Sequence, residues 1–212
     1  MNRYIRAAVL MFSMGIITGV CFGQARDIPD PRALVREFED ALHSNHQSGG
    51  SVVSMPKCFS KDPGEIATPL PKARTRLMQI AKANPDYTVT DTEVPNFLPK
   101  NYEPELLRSS VHRYLLDSNN SPETTFYALL NLEELQPAIE ASGLHKGMEI
   151  IIGLSRPPWK PEEPRRTNLL ESLTFRDALN EMAAFYGPGI WTYREFKDCD
   201  GERITRIDFT TY

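Results

Sequence analysis

The stretch LTFRDALNEMAAFYGPGIWTYREFKDCDGERITRIDF, residues 173–209, decides how the rest of the chain is read. Its first half has a helical period. Phe175, Ala178, Leu179, Met182, Ala183 and Tyr186 recur at steps of three and four and fall on one stripe. Thr174 with Asp177 has the capping-box form at the start, and Gly187-Pro188-Gly189 stops the helix. Residues 190–196 and 203–209 are rich in β-branched and aromatic side chains, and Asp198-Cys199-Asp200-Gly201 supplies a turn between them. The stretch therefore predicts a helix followed by a hairpin. It contains no catalytic constellation, so it speaks to fold and not to chemistry.

The N-terminus bears on compartment. Arg3 and Arg6 precede a mostly apolar run at 7–20, and Gly23-Gln24-Ala25 places small residues where a signal peptidase reads them. The run is interrupted by Ser13, Gly15, Thr18 and Gly19 and falls short of the ~20 apolar residues that span a bilayer. Residues 1–25 are expected to be a cleaved secretory signal peptide, giving a periplasmic or secreted protein. Val20 before Cys21 is a poor lipobox residue, which makes lipidation the minor alternative. After cleavage the chain would hold 22 basic against 28 acidic residues, a net charge of −6. That balance speaks against nucleic acid, whose backbone calls for clustered Lys and Arg, and against anionic lipid. No stable membrane insertion is expected once the signal is removed.

Along the mature chain, Asp30 caps and Pro31 opens a first helix whose inner face is Leu34, Val35, Phe38, Ala41 and Leu42. Gly49-Gly50 is expected to end it. A short strand at 51–55 and a loop at 57–71 follow. A second helix has Leu70, Ala73, Leu77, Ile80 and Ala81 on one face and ends at Asn84-Pro85-Asp86; a strand at 87–94 comes next. Arg74, Leu77, Ile80 and Ala81 match Arg176, Leu179, Met182 and Ala183 at one constant offset, which fits either an internal repeat or a generic helix-turn-strand pattern. Residues 111–116 read as a strand. Ser121 caps a helix that Pro122 opens, with a break expected near Gln136 ahead of Pro137 and a stop at Gly143. Residues 148–154 read as a buried strand, and the proline-rich 155–166 as an extended linker. The expected fold class is α+β, with small sheets packed by amphipathic helices in repeated helix-strand units. The expected division is a region at 26–154, the linker, and a helix-hairpin unit at 167–212.

Candidate sites are few. The chain lacks GxSxG, P-loop, HExxH, CxxC and Rossmann glycine patterns, so neither catalytic nor cofactor-binding residues are assigned. His43 and His46 are three apart on a helix end, but no third metal ligand is in evidence. The turn at 198–202 lacks the further oxygen ligands of a calcium loop, and Glu133-Glu134 and Glu162-Glu163 are neighbours that read as solvated. Cys58 and Cys199 are the two cysteines of the mature chain, and an even count in an oxidising compartment allows a disulfide or two free thiols. Trp159 in the linker and Trp191 with Tyr193 on one strand face are the aromatics for partner contact; core packing is the competing reading of all three.

The helix at 173–187 followed by IWTYREF resembles the secretin and TonB short N-terminal domain, a periplasmic βαβ module with an LxxALxxLAxxxG helix leading into a strand. Leu173, Ala178, Leu179, Met182, Ala183 and Gly187 stand at the matching positions. Residues 73–99 resemble a second, more divergent copy. The resemblance implies small sheets packed by helices and a tendency to bind proteins, and carries over no catalytic residue. The expected function is a non-catalytic interaction module with an envelope protein as partner. The alternatives are a small hydrolase-like exported enzyme with a dispersed site, and a binder of a small ligand or glycan.

Overall fold

The computed structural model describes residues 31–55, 77–144, 164–197 and 203–211. Helix α1 spans Pro31–Ser44 and turns Leu34, Val35, Phe38, Ala41 and Leu42 inward, as their spacing requires. The pair Gly49-Gly50 does not end it. The chain leaves the helix through His46, whose φ of 52° lies in the left-handed region, while Gln47 N donates to Leu42 O and His46 N to His43 O. That is a Schellman closure with histidine in the place glycine usually takes.

Gly49 and Gly50 instead begin strand β1 (Gly49–Met55). Helix α2 (Leu77–Ala83) leads into β2 (Tyr87–Val89) and β3 (Asn96–Pro99). The strand expected at 87–94 ends at Val89, and a turn in which Thr90 Oγ1 accepts from Asn96 N leads into β3 beyond it. A one-turn helix α3 (Glu105–Arg108) and strand β4 (Ser110–Asp117) follow. Ser121 Oγ accepts from Thr124 N and caps α4 (Pro122–Leu130), a 3-10 turn bridges 133–135, and α5 (Gln136–Ser142) ends on Gly143 at φ 66°. Pro137 sits in the first turn of α5, where it has no bond to break. The last run is β5 (Thr167–Thr174), α6 (Phe175–Tyr186), β6 (Gly189–Lys197) and β7 (Arg203–Thr211). Strands β3 and β5 and the one-turn α3 are the elements the sequence reading lacked. The strand expected at 148–154 lies outside the described residues.

Five strands form one mixed sheet in the order β2-β3-β1-β6-β7, with β1 parallel to both β3 and β6 and each outer strand antiparallel to its neighbour. The fold is α+β, with a helix-hairpin at its C-terminal end. The division at 155–166 does not separate two sheets, because β1 and β6 pair over their length from Gly49 opposite Ile190 to Met55 opposite Phe196. Nor does the helix-strand succession attach alike each time. β6 joins β1 directly, whereas β2 reaches it through β3.

The sheet is covered on both faces. Val53, Phe97, Tyr87, Val89 and Ile190 meet α1 and α2 on one side. Val52, Trp191, Tyr193, Ile207 and Phe209 meet α3 to α6 on the other, along with the two-stranded ribbon of β4 and β5. In the ribbon, Ser172 at φ 53° breaks strict alternation, so that Leu170 and Leu173 both turn to the core.

The glycine pair is explained by what crosses it. Trp191 lies opposite Gly50, and a β-carbon at Gly50 would stand 2.0 Å from the indole. One at Gly49 would stand 2.2 Å from a Leu42 methyl on the opposite face. Gly50→Ala is expected to cost about 3 kcal/mol, since a rigid indole must move, and Gly49→Ala about 1–2 kcal/mol, since a flexible Leu42 methyl is the main obstacle and Pro95 O stands 3.0 Å from the added carbon. Urea midpoints of the two variants check this, and equal losses would contradict it.

Candidate functional site

Alternation along β6 puts Trp191, Tyr193 and Glu195 on one face, the face that carries the larger core. Glu195 is buried, at 6% exposure, and a buried carboxylate is tolerable only when its oxygens are fully served. Three donors serve it: Tyr193 Oη and Arg203 Nη2 reach Oε1 and Tyr102 Oη reaches Oε2, each at 2.5 Å. The loop between β3 and α3 brings Tyr102, and the first residue of β7 brings Arg203. Burial, and then the neighbouring carboxylate, raise both phenols, Tyr102 to about 12 and Tyr193 further. Both hydroxyls therefore stay protonated donors at neutral pH. The cluster ties β6 to β7 and to the loop that follows β3.

Tyr102 lines two cavities. One of about 230 Å³ is lined by Glu105, Arg108, Ser142, Tyr193 and Glu195. The other, of about 690 Å³, has Val52, Leu98 and Pro99 as apolar lining and Lys100, Arg108 and Arg176 as charged lining. Arg176 Nη1 is held by Glu103 Oε1 at 2.5 Å.

A second polar group lies on the other side of the sheet, under α1. Thr192 Oγ1 donates to Glu39 Oε1 at 2.7 Å and accepts from Ser51 Oγ at 3.3 Å. Glu39 as a residue is half-buried, but its carboxyl is tucked in over Thr192, and desolvation raises its pKa against the opposing pull of Thr192 and Arg194. Asp208, opposite Thr192 and paired with Arg194 at 2.9 Å, is raised by burial as well.

Trp191 and Tyr193, expected as contact residues, are both fully buried. Trp191 packs over Gly50 and donates through Nε1 to Asn180 Oδ1 at 2.8 Å, so neither ring presents a surface to a partner. Trp159, Cys58 and Cys199 lie outside the described residues, as do Glu162 and Glu163. Glu134 accepts from His112 N and serves the start of β4. Among the described residues no group of three His, Cys, Asp or Glu could hold a metal, and no helix is long and apolar enough to cross a membrane. Sequence reasoning missed Glu195, Tyr102, Arg203 and Glu39. Only Glu195 left a signal, as an acidic residue on the apolar face of a strand.

Comparison with family models, with curated proteins and with solved structures gave no match. The class defined by the coordinates is architectural: a mixed five-stranded sheet between helical layers, with two clefts that share Tyr102.

Glu39 allows a pH test. Its folded pKa lies above the unfolded value, so its charge opposes folding at neutral pH, and that penalty is relieved as pH falls through the folded pKa. Glu39→Gln keeps the acceptor for Thr192 and removes the charge that Arg194, Asp208 and Asp40 face. Tm at pH 8 should rise by about 2–4 °C, the effect of ~1 kcal/mol in a chain of this size, and the gain should vanish near pH 4. A variant less stable than the parent at pH 8 would refute the assignment.

Proposed function

We propose that the chain is an exported, non-catalytic module that works by binding another protein. Three features support the reading. Residues 1–25 carry the basic, apolar and small-residue order of an export signal. The helix and strand at 173–196 resemble the short N-terminal domain of secretins and TonB-dependent receptors. The third feature carries the conclusion: the outer face of the β4–β5 ribbon. Leu115 and Leu169 stand directly opposite each other there at 49% and 43% exposure.

Paired leucines in water are an unfavourable use of a strand face unless something covers them. Arg113 with Glu171 flanks the pair at one end, and Asp117 with Arg165 at the other. Neither strand has a second strand neighbour among the described residues. A two-stranded ribbon is marginal by itself and gains from a third strand. The fitting occupant is an extended segment of a partner protein that lies along the ribbon, sets an apolar side chain on the leucine pair and meets charges of both signs beyond it.

The test is capture from an envelope extract by the mature protein, identification of the captured protein by mass spectrometry, and rebinding of that protein in purified form. Leu115→Asp with Leu169→Asp should weaken the purified interaction at least 10-fold, roughly 1.4 kcal/mol or more. Equal affinity for parent and double variant would remove the ribbon from the interface. Turnover of ester or glycoside substrates by a protein that captures nothing would favour an enzyme.

A further inference from the structure

We infer that the corner between the β2–β3 hairpin and α3 is a binding site for a small organic anion, one with an apolar body and a single carboxylate or phosphate head. The corner exists because the layers do not match in width. Helix α6 covers β1 and β6 on the face of the larger core, while α2 packs on β2 from the opposite side. Over the outer hairpin no helix among the described residues covers the first face, and Leu98, only half-buried, lines the space with Val52 and Pro99. The resulting cavity of about 690 Å³ falls within the roughly 300–1,000 Å³ that small-molecule sites occupy.

Charge selects the ligand. Four charged residues line the cavity: Lys100, Arg108 and Arg176 against the single carboxylate of Glu103. Glu103 is already committed to Arg176. Lys100 and Arg108 make no ion pair among the described residues, although the chain as a whole is acidic. Two like charges on one cavity without an ion-pair partner among the described residues favour an anion there, more weakly as salt rises because both side chains are exposed. A metal ion or an amine is disfavoured by the same charges. Arg108 can meet a carboxylate or phosphate with two parallel N–H donors, while Lys100 supplies a point charge. The Tyr102 ring closes one side, because its hydroxyl is engaged with Glu195 and does not turn toward the ligand.

The experiment is calorimetric titration of the full mature chain with phenylacetate, phenyl phosphate, inorganic phosphate, benzyl alcohol and benzylamine. One equivalent of phenylacetate or phenyl phosphate should bind, with affinity falling as salt rises. Benzyl alcohol and benzylamine should bind at least 10-fold more weakly. Lys100→Gln with Arg108→Gln should lose 10-fold or more for the anions with Tm unchanged, since both side chains are exposed. Leu98→Ala should weaken phenyl phosphate and leave inorganic phosphate as it was, which separates the apolar floor from the charged rim. The inference is overturned if the amine binds as well as the acid, if inorganic phosphate alone matches phenyl phosphate, if the double variant binds unchanged, or if no anion binds at millimolar concentration.

Discussion

The indole of Trp191 lying flat over Gly50 is the contact on which the architecture turns. It joins three elements at one point: β6 carries the ring, β1 makes room for it, and Asn180 of α6 accepts its N–H. Large aromatic burial is the strongest stabilising resource a small core has, but only where the opposing backbone lets the ring approach. Gly50 provides that approach on one face, and Gly49 does the same for Leu42 on the other. The beginning of β1 is thereby squeezed from both sides. The register of the whole β1–β6 pair follows, since a slip of one residue would drive the ring into a side chain.

Around that anchor the buried polar groups divide by how completely they are satisfied. Glu195 has three donors and reads as a fastening between strands. Glu39 has one donor and a more distant cation, and the strain of its charge shows in its raised pKa. Tyr186 is fastened in the manner of Glu195: its hydroxyl meets Thr125 and donates to Asp117 O, which ties α6 to α4 and β4. The reactive-looking residues among those described are thus engaged in holding the fold, while the leucine pair and the cationic corner lie outside these networks.

Much of the local structure was legible because it rests on local rules. The six inward residues of α6, the five of α1, the Ser121 cap and the stop at Gly143 follow from helical spacing and capping chemistry within a few positions. What was not legible depends on distant partners. Gly49-Gly50 looks like a helix stop until Trp191 is seen across from it, some 140 positions on. Ser172 in a left-handed conformation hides the alternation of β5. Trp191 and Tyr193 share a face with Glu195, which by pattern alone could as well be wet as dry. The exposed leucines were unreadable for the same reason, because alternation tells which residues share a face and not which face meets water.

The central place of β1 has a consequence for how the chain comes together. Its neighbours on the two sides arrive at very different times: β3 about 45 positions later and β6 about 140 later. A growing chain can therefore assemble α1, α2 and half of the sheet early, but the Trp191 side of β1 stays open until β6 has emerged. Contacts so far apart in sequence slow the search for the native state and lengthen the time an unpaired strand is on display. Strands β6 and β7 thus act as the closing clasp of a sheet whose earlier strands must wait for them.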